Sequence, residues 1–249
     1  MTLSFQLYSA RNFLPWTNVI PRLAELGYTQ VEGFGGLYTD APEFKRLLDE
    51  HGMTMPSGHF FPLGKLEEEL DASLATARTL GLHRAICPAP EDLWREGTDA
   101  ANWTALAKRL NEAGKRVVDA GFRFGWHNHH WEFMALPDGT LPMTVLLENA
   151  PDMEWEMDVA WVVRGGADPL EWIKAHGDRI TAAHVKDIAP DGQKEDEDGW
   201  ADVGDGVMDW EKLIAALRHA GTDLFVAEHD NPLDWDRFAS RSIAAFKKY

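Results

Sequence analysis

The sequence predicts an α/β protein folded as one closed barrel of the (β/α)8 type, and three observations predict it. Short runs rich in β-branched and aromatic residues alternate along the chain with longer runs of helical period. Such alternation implies parallel strands joined by right-handed crossovers. Eight pairs share 249 residues, about 31 each, close to the roughly 250 that such a barrel needs. No glycine-rich turn follows the first strand in LYSARNFLPW, where a doubly wound open sheet would show one. A single domain over residues 1–249 is expected, with no linker.

The elements follow in order. LSFQLYS (3–9) reads as a strand, and WTNVIPRLAELG (16–27) as a helix closed by Gly27. YTQVEGFG (28–35) is the second strand; the helix APEFKRLLDEHG (41–52) is capped by Asp40 and stopped by Gly52. Strand 53–61 precedes helix 66–81, and strand 82–90 precedes the long helix 99–121. Strand FRFGWHNHH (122–130) leads to helix 141–150, and strand MEWEMDVAW (153–161) to helix 168–177. Strand RITAAHVKDI (179–188) passes through a polar loop to helix 209–221, and strand TDLFVAEHD (222–230) to a last helix, 232–247.

Composition narrows the partners. Lys and Arg number 24 against 41 Asp and Glu, a net charge of −17, and the densest charged run, Lys194 to Asp198, is mostly acidic. Nucleic acid and anionic membranes are therefore not expected as partners. One cysteine, Cys87, excludes an internal disulfide and any CxxC metal site, and reads as a small core residue. The first residues lack a basic start followed by a long apolar stretch, and no run of 18 apolar residues exists, so a cytoplasmic location is expected.

A barrel of this kind keeps its active site at the C-terminal ends of its strands. Those ends carry His59, then His127, Asn128, His129 and His130 with Glu132 just beyond, then Asp158, His184 with Lys186 and Asp187, and Glu228 with His229 and Asp230. EWEMD, TAAH and FVAE each set an acid or imidazole directly after apolar strand residues. An unpaired carboxylate there would be costly to desolvate, and a shared divalent cation removes that cost. Carboxylates and imidazole without thiolate suit Mn2+, Mg2+, Co2+ or Zn2+, with Mn2+ placed first.

HNHHWEF (127–133), MDVAW (157–161), HVKD (184–187), VGDGVMDW (203–210) and VAEHD (226–230) resemble the xylose isomerase-like superfamily of sugar phosphate isomerases and epimerases, along the whole chain. The resemblance implies one divalent metal held by Glu132, Asp158, His184 and Glu228, with His127 or His129 as the alternative first ligand. It also implies proton abstraction beside a sugar carbonyl through an enediolate, with Glu132 and Glu228 as opposed bases. The product would be an isomer or epimer, or a dehydrated sugar if a β-hydroxyl leaves. Trp161 and Pro190 stand where the ketose 3-epimerases carry a His and an Arg, which puts free-ketose epimerisation in doubt. HVKD is closer to inosose dehydratase-like members.

Lys186 shares a side of the strand with His184 and reads as an acid or enolate-stabilising group, against a structural salt bridge with Asp187 or Asp158. His59, His127, His129 and Trp161 are candidate substrate contacts. Glu32 reads as a buried ion-pair partner first and as a substrate contact second. Asp205 between Gly204 and Gly206, beneath an acidic loop, argues against a phosphate cradle and for an unphosphorylated sugar or cyclitol. Trp126, Trp131, Trp161 and Trp200 fall near the upper rim; Trp172, Trp210 and Trp235 fall on helices that bury against the barrel. The expected partner is a small sugar or keto-sugar, and a homo-oligomer is in keeping with the family. A repair endonuclease on this fold would need further ligands, which CPAPEDL (87–93) does not offer, and a basic groove. A non-catalytic sugar-binding barrel is the remaining reading.

Overall fold

Strand–helix alternation closes on itself in the computed structural model, which describes residues 2–89, 91 and 99–249. The barrel strands are β1 (Leu3–Gln6), β2 (Gln30–Gly33), β3 (Thr54–His59), β4 (Arg84–Cys87), β5 (Arg123–His127), β6 (Glu154–Asp158), β7 (Ile180–Val185) and β10 (Leu224–Ala227). Each pairs in parallel with its neighbour in sequence, and β1 closes the ring against β10. The remaining two strands, β8 (Asp187–Ile188) and β9 (Trp200–Ala201), form an antiparallel hairpin over the β7 end.

The helices are α1 (Trp16–Leu26), α2 (Ala41–Glu50), α3 (Gly64–Glu67), α4 (Leu70–Leu80), α5 (Ala100–Asp119), α6 (Pro142–Asn149), α7 (Val159–Arg164), α8 (Pro169–His176), α9 (Trp210–Ala220) and α10 (Trp235–Phe246). Their ends obey local chemistry. Asp40, Asp99 and Asp209 accept backbone N–H groups at the starts of α2, α5 and α9. Gly27 ends α1 at φ +96°, a conformation that costs a residue without Cβ little. The helix expected over 66–81 is two pieces, α3 and α4.

Most expected strands end sooner than their apolar runs. The run 153–161 stops as strand at Asp158, because Asp158 Oδ1 accepts the Trp161 N–H at 2.9 Å and starts α7. The run 122–130 likewise stops at His127.

The main apolar core lies between strands and helices, where Phe5, Val31, Trp126, Trp155, Met157, Val185 and Phe225 are fully buried. Trp210 is buried as expected, and Trp172 and Trp235 pack partly buried against the same core. Inside the ring a small apolar cluster of Ala182, Leu224 and Val226 stands apart from that core. Above it the interior is polar: Gln6, Glu32, Ser57, His127, Glu156 and His184 are all buried. At the opposite mouth Arg84 pairs with Asp223, and Arg123 with Glu154 and Asp223.

Candidate functional site

Period-two alternation on β6 sends Glu154, Glu156 and Asp158 to one face, and on β7 and beyond it sends Ala182, His184 and Lys186 inward. The register aligns Asp158 with His184 and Val226 with His184, so the C-terminal strand ends converge. Donor atoms of His127, Asp158, His184 and Glu228 all lie within 4.8 Å of one another, and all four residues are buried. His184 Nδ1 is 2.8 Å from Glu228 Oε2 and 3.9 Å from Asp158 Oδ2.

Glu132 does not join them. Its carboxylate turns back to accept the Trp126 indole N–H at 3.1 Å and the His129 backbone N–H at 3.0 Å, which holds the chain as it leaves β5. Burial pushes this carboxyl up to about 8, against the hydrogen bonds it accepts. His127 stands in the place expected for Glu132. Among the described residues, Glu132 is not in the group of donors gathered with Glu228. Asn128 locks the same corner: its Oδ1 accepts the Asp158 N–H at 3.0 Å and the Trp155 indole N–H at 2.8 Å.

Lys186 is buried among three acids, with Nζ 2.6 Å from Asp230, 3.0 Å from Glu228 and 3.4 Å from Asp158. Burial alone would lower its pKa, but these carboxylates raise it, so it stays charged. Its ammonium also lies 4.7 Å from the Trp200 ring and 5.2 Å from that of Trp161. Trp161 packs against Trp200 and beside His129 and His130. Asp158 is raised to about 6 by burial, against Lys186 and His184. Glu228 is held well below the usual carboxylate range: burial opposes this, and Lys186 and His184 outweigh it.

A cavity of about 420 Å³ opens above these donors. Its polar wall includes His59, His127, His129, Glu228 and Asp230; its apolar wall includes Tyr8, Phe34 and Phe61. His129 stacks on Trp131 at 4.4 Å, and burial lowers its pKa, so it is neutral.

One fully buried carboxylate escapes a reading confined to strand ends. Glu156, one turn of the pleat below Asp158, has Oε2 2.8 Å from His59 Nε2 and 3.2 Å from His184 Nε2. Its alternation with Asp158 in EWEMD was the available signal. Glu32 is the buried ion-pair partner expected, 2.7 Å from His184 Nε2 and 3.2 Å from His59 Nε2. It also accepts from Gln6 and Ser57.

The glycine loop after β9 is not an open anion cradle. Asp187 takes the N–H groups of Ile188, Gly204 and Met208 at 2.9, 2.8 and 3.1 Å. A side chain at Gly206 would strike Asp187 and the Ile188 carbonyl. Of CPAPEDL, Pro90, Asp92 and Leu93 lie outside the described residues.

A family model described as the xylose isomerase-like TIM barrel matches residues 20–249. The chain belongs to that family. Inosose dehydratase from Geobacillus kaustophilus is 24% identical over 193 residues, covering 70% of this chain and 62% of that protein. The chain thus spans between about half and somewhat less than two thirds of the length of the curated relatives it matches. A sugar phosphate isomerase/epimerase from Parabacteroides distasonis is 23% identical with a TM-score of 0.81, covering 98% of this chain and 92% of that one. The IolI protein, solved with a bound zinc atom, is 17% identical with a TM-score of 0.76, covering 100% of this chain and 97% of that one. Both structures share the xylose isomerase-like fold. No described helix is long and apolar enough to cross a membrane.

Proposed function

We propose that this xylose isomerase-like barrel is a divalent-metal-dependent enzyme that removes a proton beside the carbonyl of an unphosphorylated keto-sugar or keto-cyclitol. One observation carries the reading: the donors of His127, Asp158, His184 and Glu228 gather within 4.8 Å beneath a cavity at the C-terminal mouth. The donor set fits a divalent cation. It mixes imidazole and carboxylate, and it is buried. When bound, the ion supplies Lewis acidity, which stabilises negative charge growing on a carbonyl oxygen. Mn2+ is the ion placed first.

The chain's own groups divide the remaining work. Glu228, anionic and facing the cavity, takes the proton. Lys186, fixed by three carboxylates, donates hydrogen bonds from Nζ to oxygen that gains charge or leaves. Neutral His129 on the cavity wall receives or returns a proton.

Loss of a β-hydroxyl is the outcome this arrangement favours, because it needs one base and one acid. Glu228 and Lys186 supply them, and inosose dehydratases are among the relatives. Isomerisation or epimerisation, the outcome expected from the sequence, is the second reading; without Glu132 the proton's return falls to a histidine.

Chelation should abolish turnover of a keto-sugar panel, and Mn2+ should restore it. Glu228→Gln should lower kcat by about 10²–10⁴-fold with the fold intact by circular dichroism. Full activity in the metal-free protein would refute the reading. Solvent deuterium in recovered substrate without water loss would favour isomerisation.

A further inference from the structure

Beneath the proposed site lies a second group of donors. His59, His127, His184 and Glu156 also bring ligand atoms within 4.8 Å of one another, and all four are buried. Glu156 Oε2 sits 2.8 Å from His59 Nε2, 3.4 Å from His127 Nδ1 and 3.2 Å from His184 Nε2. Three imidazole nitrogens around one carboxylate oxygen make a nitrogen-rich set, unlike the carboxylate-rich set above it. We infer that this lower set is a separate cation cage selective for Zn2+, and that it excludes an ion from the upper, carboxylate-rich cage because both need His127 and His184.

Two observations besides the clustering support it. His127 Nδ1 and Glu156 Oε1 are buried without hydrogen-bond partners, beside a Glu32 that accepts from Gln6 and Ser57. Charge agrees as well. Glu32 and Glu156 are both fully buried, and one divalent ion with three neutral imidazoles balances their two negative charges. The rival arrangement charges His59 and His184 instead.

Softness separates the cages. Imidazole-rich four-coordinate sets suit Zn2+, and carboxylate-rich sets suit Mn2+ or Mg2+. Exclusion follows from the ring chemistry of His184. Its Nδ1 faces Glu228 at 2.8 Å, and its Nε2 lies between Glu32 at 2.7 Å and Glu156 at 3.2 Å. A neutral imidazole has one free lone pair, so it serves one ion at a time.

The test titrates the metal-free full chain with Zn2+, read by calorimetry, and separately with Mn2+, read by the paramagnetic resonance of the free ion. His59→Gln removes a donor of the lower cage alone, and Asp158→Asn one of the upper cage alone. His59→Gln should weaken Zn2+ by about 100-fold while Mn2+ stays within about threefold, and Asp158→Asn should do the reverse. Zn2+ added to the Mn2+-loaded wild type should release Mn2+ one for one. Equal losses of both ions in both variants, unchanged Zn2+ affinity in His59→Gln, or both ions bound at once would overturn the inference. Should a variant fail to fold, zinc-edge anomalous scattering from wild-type crystals decides. An ion bonded to His59 and Glu156 supports the lower cage; one bonded to Asp158 and Glu228 overturns it. The inference shares two residues with the proposed function but does not fall with it: absent Mn2+ binding would sink that reading and leave the zinc arms standing.

Discussion

Glu132 is a buried acid with hydrogen-bond donors around it and no cation in contact among the described residues. Below pH about 4.5 it is protonated folded or unfolded; between about 4.5 and 8 only the folded state keeps the proton. The fold therefore loses stability as pH rises through that window, by about 5 kcal/mol at most. Glu132→Gln should remove the slope. Denaturation of both proteins at pH 5 and pH 8 checks this, and parallel pH profiles would contradict it. The sequence marked Glu132 as chemistry-bearing but could not say where it points. Its direction is set three residues away, by the His129 amide, and six away, by the Trp126 indole. Asp158 is different: one oxygen caps α7 while the other turns to Lys186 and His184.

At the scale of elements, the β8–β9 hairpin and the loop to α9 hang on Asp187. Its two oxygens accept three backbone N–H groups from both ends of the segment. Asp187→Asn keeps one acceptor and turns an amide donor toward N–H groups, at a cost of about 1–3 kcal/mol. Faster hydrogen exchange at Gly204 and Met208 is expected, along with a lower Tm; protection equal to wild type would show the loop is held by other contacts. Strand and helix order was readable because periodicity is local. The shortening of β5 and β6 was not, since apolar residues such as Val159 and Val162 continue past the strands into buried helix α7. The role of Asp187 was hidden too, since its partners lie up to 21 residues away.

For the whole molecule, the barrel gathers Glu32, Glu156, Asp158 and Glu228 into one buried interior with Lys186 and several imidazoles. An ion that binds only the folded state adds about 2.7 kcal/mol of stability at 100 times its Kd, which raises Tm by about 5–10 °C for a chain of this size. Mn2+ should produce that rise in wild type and little in Asp158→Asn. A wild-type Tm unmoved by Mn2+ would count against the upper cage.

Spacings of two to four residues are enough to encode the alternation that closes a barrel and to put acids and imidazoles at the strand ends. That His127 rather than Glu132 gathers with Asp158, His184 and Glu228, with Glu156 beneath them, is a choice made in the folded chain. That choice depends on hydrogen bonds reaching between strands and on how far each strand runs before the chain turns, and neither has a local signature.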